Sequence, residues 1–257
     1  MFESAVILAV ALAGGCLPLL VRWTDRLLHS ALALSTGIFL GAVFLHLLPS
    51  LAGLESASHE GEPVKAAAEA LHAHQHGDTT IWIFVLIGVV SVYLIESLVF
   101  RAPAHDDLQR HRSVGYAALV GLSVHALTAG IGFAAISKQS DLATPLFLSI
   151  VAHKGFEGFS LTSVFLLAEF KKRKIVLLTV LFSLVTPIGI LLGLALTAHL
   201  GNFGISVATA LAAGTFLYVC LCELLPEVFH HREDSLVKIG LMAAGVILIL
   251  FSTGAGA

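Results

Sequence analysis

Apolar residues in this chain come in long unbroken runs rather than in the every-second-residue alternation of a strand. Eight runs, about 4–24, 29–51, 80–100, 114–137, 143–170, 174–199, 202–226 and 236–254, are long enough to cross a bilayer. A segment in lipid has to satisfy its own backbone amides, so each run predicts a helix, and nothing reads as a porin strand. The expected fold is an all-α integral membrane protein with eight transmembrane helices. Composition agrees with the pattern: 57% of the 257 residues are apolar and 12% charged, and the mean hydropathy is +0.94. Too few polar side chains remain to cover a soluble globule of this size. The first run starts beside Met1 with no basic leader and no small-residue cleavage site, and is expected to be a retained span.

Charge orients the bundle. Arg22 and Arg26, then Arg101, Arg110 and Arg112, then Lys171, Lys172, Arg173 and Lys174, then Arg232 and Lys238 fall in alternate loops, whereas the opposite loops hold only Lys65 and Lys138. The positive-inside rule makes the richer loops cytoplasmic and puts both termini outside. The net charge of −3 gives no field for nucleic acid, and Cys16, Cys220 and Cys222 lie inside apolar runs, away from any disulfide framework.

The runs also echo one another. Gly37-Ile-Phe-Leu-Gly-Ala-Val-Phe-Leu-His46-Leu-Leu-Pro49 in the second matches Gly214-Thr-Phe-Leu-Tyr-Val-Cys-Leu-Cys-Glu223-Leu-Leu-Pro226 in the seventh. His125-Ala-Leu-Thr-Ala-Gly130 in the fourth matches His153-Lys-Gly-Phe-Glu-Gly158 in the fifth. Because the second and seventh runs point in opposite directions, the likeness implies an inverted repeat in a 3+2+3 plan: helices 1–3 within 1–100, a central pair within 114–170 and helices 6–8 within 174–257, as a single domain over 1–257. Repeats of this kind are a habit of transporters, with the substrate site near the midplane.

Ionisable groups at membrane depth are costly and therefore informative. His125, His153, Lys154 and Glu157 sit near the middles of the fourth and fifth runs. His153 and Glu157 are one helical turn apart on one face, and two imidazoles with a carboxylate suit Zn²⁺ and its first-row neighbours. Lys154 is expected to balance the charge of Glu157 or to stand where a second cation would sit. Glu223 is the strongest remaining candidate ligand, and His46 and Glu227 are candidate relay or gate positions. The longest loop, 51–79, is expected outside and carries His59, His72, His74 and His76 among carboxylates, a set that can gather a divalent cation weakly from solution. His230 and His231 are candidates for receiving an ion at the cytoplasmic exit. Pro187, followed by Gly189 and Gly193, predicts a kink or a close helix approach.

Taken together, His125, the His153-Lys-Gly-Phe-Glu157-Gly run, Thr186-Pro187-Ile-Gly189 and Phe216-Leu-Tyr…Glu223-Leu-Leu-Pro resemble the ZIP family of divalent metal transporters across essentially the whole chain. The resemblance implies eight helices, both termini outside, a metal site between helices 4 and 5, and movement of zinc or a related ion into the cytosol. It carries metal-site roles onto His125, His153 and Glu157 and a helix 7 carboxylate role onto Glu223. One departure stands out: Ala126 and Ala129 occupy positions where the family's helix 4 motif usually has an amide or hydroxyl and a carboxylate. Lys154 occupies a second-metal position of binuclear relatives, which resembles the single-metal branch.

The function expected is therefore a carrier of Zn²⁺, with Fe²⁺, Mn²⁺ or Cd²⁺ as further cargo, in a plasma membrane or bacterial inner membrane. The ion is substrate, no cofactor is expected, and a homodimer is left open. A membrane metal-dependent hydrolase would need a metal-activated water with a general base, and the chain has no His-Glu-x-x-His helix and no Ser/His/Asp set. A metal sensor without flux would keep the site and lack relay residues.

Overall fold

In the computed structural model, which describes residues 2–49, 51–52, 79–100, 107–136, 140–196, 202–230 and 234–254, every long apolar run is helical. The helices are α1 (Phe2–Leu20), α2 (Asp25–Ala42, continued by a π turn at Val43–Leu47) and α3 (Thr80–Ile95, continued by a π turn at Glu96–Phe100). Next come α4 (Asp107–Ile136), α5 (Ser140–Leu167) and α6 (Lys172–Leu196). The last are α7 (Asn202–Tyr218, continued by a π turn at Val219–Leu224 and the short turn Leu225–Val228) and α8 (Ser235–Gly254). Six of them, α1 to α4, α6 and α7, are long and apolar enough to cross a membrane on that measure alone. The chain is an all-helical, multi-pass membrane protein.

Two helices begin earlier than hydropathy suggests. The α2 helix starts at Asp25, where the Thr24 hydroxyl accepts the Leu27 amide at 3.3 Å and so caps the first turn. The α4 helix starts at Asp107, taking Arg110, His111 and Arg112 into its first turns.

Packing follows from small residues. Helices in lipid gain nothing by hiding apolar surface from one another, so close approach needs residues that let backbones touch. A Cβ added at Gly37 would stand 2.0 Å from the Met242 carbonyl oxygen, and one added at Gly214 would stand 2.0 Å from that of Val85. These contacts join α2 to α8 and α7 to α3; α1 packs against α5 and α6 against α4 in the same intimate way. Exchanging helices 1–3 with 6–8, and 4 with 5, turns each of these pairings into another. Pro187 lies within an unbroken α6, and the close approach expected there is made by Gly189 against Leu127 of α4.

α3 and α6 carry rows of exposed apolar side chains, such as Ile83, Leu86, Ile87 and Val90 on one and Leu177, Leu181 and Leu191 on the other, which face lipid. Among the described residues, Arg26, Arg110 and Arg112 lie at one end of the bundle. Arg26 pairs with Asp234, Arg112 Nε donates to the Ala168 carbonyl at 3.3 Å, and Arg110 Nη2 donates to that of Pro226 at 3.4 Å.

Candidate metal centre

α4 and α5 meet at the centre of the bundle and bring His125, His153 and Glu157 together, all buried. One ligand atom from each lies within 4.8 Å of the others. His125 Nε2 and His153 Nε2 are each 3.5 Å from Glu157 Oε1. That is too long for a good hydrogen bond, but it is close to the ligand-to-ligand edge of a tetrahedral zinc site, roughly 3.3 Å for bonds of about 2 Å. The donors stand apart as donors around a shared cation do.

The imidazole of His125 is fixed from behind. Its Nδ1 donates to the Ala212 carbonyl of α7 at 3.2 Å, which leaves Nε2 with its lone pair toward the cluster. A ligand histidine is commonly oriented in this way. Phe216, also from α7, stacks on the ring with centroids 4.1 Å apart.

Lys154 closes the other side. Its Nζ is 2.6 Å from Glu157 Oε2 and lies 4.8 Å from the centroid of the Phe182 ring, so the buried ammonium is held by a carboxylate and an aromatic face. Glu157 thus divides its two oxygens, Oε1 toward the imidazoles and Oε2 toward the ammonium. Ala126 is fully buried in the apolar core, and Ala129 is half-buried.

The other residues singled out by the sequence are dispersed. Glu223 is buried on the π turn of α7, outside the three-ligand group, beside Glu96 of α3, which also accepts a hydrogen bond from the Tyr218 hydroxyl. His46 is half-buried on the π turn of α2. Glu227 is fully buried near the basic end, and His230 follows it in contact with Arg110. His59, His72, His74, His76 and His231 lie outside the described residues.

Sequence reasoning missed the surroundings of Glu227. His111 Nδ1 lies 2.5 Å from Glu227 Oε1, His29 Nε2 lies 3.8 Å from the same oxygen, and Arg110 Nη2 lies 3.9 Å from Oε2. The available signal was spacing. His111 precedes His125 by nearly four whole helical turns, which sets both on one face of α4.

Comparison with known proteins gives a consistent picture. The family model described as ZIP zinc transporter matches residues 101–253. The zinc transporter ZIP2 of Homo sapiens is 27% identical over 95% of this chain and 94% of its own length. Zinc transporter ZIP9-B of Xenopus laevis is 27% identical over 91% of this chain and 89% of its own length. Zinc transporter 8 of Oryza sativa subsp. japonica is 29% identical over 77% of this chain, which spans about half of that relative, 47%.

Proposed function

Because the chain belongs to the ZIP zinc transporter family, a family of transporters and not of enzymes, we propose that it carries Zn²⁺, with Fe²⁺, Mn²⁺ or Cd²⁺ as further cargo, into the cytosol by exposing the His125/His153/Glu157 group alternately to each side. The observation that carries this reading is the spacing of three buried donors around a common point at the junction of α4 and α5. In such a site the imidazoles and Glu157 hold the ion, and Lys154 stands in for a second positive charge.

The pairing of helices and the matching π turns in α2 and α7 favour an inverted repeat. The shared basic end favours that end as cytoplasmic, with both termini outside in a plasma or bacterial inner membrane. The three donors all come from one chain, so the proposed group does not need a homodimer to assemble.

The test is Zn²⁺ uptake into liposomes carrying the purified protein and an enclosed zinc-sensitive dye, with Fe²⁺, Mn²⁺ and Cd²⁺ as competitors. Uptake above protein-free liposomes is expected, and the order of competition ranks the ions. Stoichiometric binding without uptake would sink the carrier reading and leave a sensor. Phe216→Leu keeps every ligand but removes the stacked ring behind His125. Stacking worth about 0.5–1.5 kcal/mol corresponds to Zn²⁺ affinity weakened about two- to tenfold, measurable by titration calorimetry.

A further inference from the structure

We propose that Lys171, Lys172 and Arg173 form a binding site for the headgroup phosphate of an anionic phospholipid, with its acyl chains laid along the outer face of α6. All three are exposed where α5 turns back into α6, and among the described residues no hydrogen bond or ion pair holds their charged groups. Glu169, also exposed, is the one carboxylate in that connection, so positive charge is in excess.

The fourth cation of the run is committed within the protein. Lys174 Nζ donates to the Tyr116 hydroxyl of α4 at 2.6 Å and lies over the rings of Phe170 and Tyr116, 4.2 Å and 5.0 Å from their centroids. Beside it, Arg112 Nε holds the Ala168 carbonyl. The connection is thus pinned to α4 from both sides, while its three remaining cations stay free for an anion.

What lies below them selects the anion. Lys172 heads a column of exposed Val176 and Val180, and Arg173 heads one of exposed Leu177, Leu181 and Leu184, at steps of three or four residues along one side of α6. The last turn of α1 adds to this surface. Gly15 of α1 meets Thr179 of α6, and five residues onward and five back set the exposed Leu20 level with Lys174, with the exposed Arg22 following. Cations at a rim above bare apolar columns match an amphiphile with phosphate at its head and hydrocarbon beneath. Inorganic phosphate would use the rim and leave the columns idle. A zwitterionic headgroup carries a cation of its own, which this patch repels. Basic clusters directly beside a membrane helix attract anionic lipid for the same electrostatic reason.

The test is native mass spectrometry of the full chain from micelles holding phosphatidylglycerol and phosphatidylcholine in equal amounts, with those lipids as the probes. Phosphatidylglycerol is expected to be retained over phosphatidylcholine by well over tenfold, each surface cation being worth roughly fivefold. Lys171→Gln/Lys172→Gln/Arg173→Gln is expected to bring the two lipids to parity. Lys171→Arg/Lys172→Arg/Arg173→Lys keeps the charges and is expected to keep the preference. Lys65→Gln/Lys138→Gln, which removes charge from other connections, is expected to keep it as well. Should the triple glutamine variant fail to fold, Lys172→Gln alone decides, with a preference lowered about fivefold. Inorganic phosphate offered in place of phosphatidylglycerol is expected to leave no adduct. The proposal is overturned by equal retention of the two lipids in the unaltered protein, by a preference that survives the glutamines, or by one lost equally in the charge-keeping or the Lys65/Lys138 variant. Phosphate adducts that the glutamines abolish would overturn it too, in favour of a free-anion site. No arm involves metal, so this inference and the transport reading fail separately.

Discussion

Glu157→Gln is expected to bring metal uptake down to that of protein-free liposomes and to destabilise the fold, and adding Lys154→Met is expected to restore the fold while uptake stays lost. Both effects have one origin. Glu157 is fully buried and bonded to Lys154, so the amide leaves a buried ammonium without its carboxylate, still over the face of Phe182. Removing one partner of a buried pair costs about 3–5 kcal/mol, whereas replacing both by apolar groups of similar volume is often neutral. A methionine in place of Lys154 fills a similar space without the charge. The ligand oxygen is lost in either case, because an amide is a far poorer partner for a divalent ion than a carboxylate. Thermal unfolding in detergent, read beside Zn²⁺ uptake, separates the two consequences. If the double variant regained uptake, Glu157 would not be a ligand; if the single variant melted like the unaltered protein, the pair with Lys154 would carry little of the stability.

Gly214→Ala is expected to be the second severe change, although it adds a single methyl group. Its Cβ would stand 2.0 Å from the Val85 carbonyl oxygen and 3.0 Å from the Gly88 Cα, both backbone atoms that no side-chain rotation can move aside. Helices α3 and α7 must separate, and α7 carries Phe216 and the Ala212 carbonyl that fix His125. Overpacking costs about 1–3 kcal/mol and more where backbone is involved. A lowered melting temperature and at least a tenfold loss of uptake are expected together. Gly240→Ala provides the contrast: nothing lies within 4 Å of a Cβ there, so stability and uptake should match the unaltered protein. Equal behaviour of the two alanines would refute the account of backbone contact.

The clustering of His125, His153 and Glu157 was legible because burial at depth leaves its mark on composition. A His, a Lys and a Glu in the middle of an apolar run stand out, and the four-residue step from His153 to Glu157 fixes their common face. The partners of Glu227 were not legible in that way. His29 is the first residue of the 29–51 run and His111 lies just before the 114–137 run, both among polar neighbours, so neither stood out as an ionisable group at depth, while the Thr24 cap and the Asp107 start carry both helices further. Glu223 stands outside the three-donor group for a different reason. Seven residues after Phe216, it would share that ring's face in a regular helix, but the π turn at Val219–Leu224 inserts extra backbone per turn and rotates it away from His125 toward Glu96. No sequence period announces such a turn. Helix existence was legible from run length, and helix pairing only from the glycine pattern that makes it possible.

The glycine contacts carry one more consequence. They bring α1 and α5, α4 and α6, and α3 and α7 into direct backbone contact, so each couple can be regarded as one plank. His153 and Glu157 ride on the first plank, His125 on the second, and the ring and carbonyl that brace His125 on the third. The donor set straddles seams rather than lying within any one unit. On the proposed reading, a cation bound there would be a rivet across joints, and displacing one plank against another would strip donors from it.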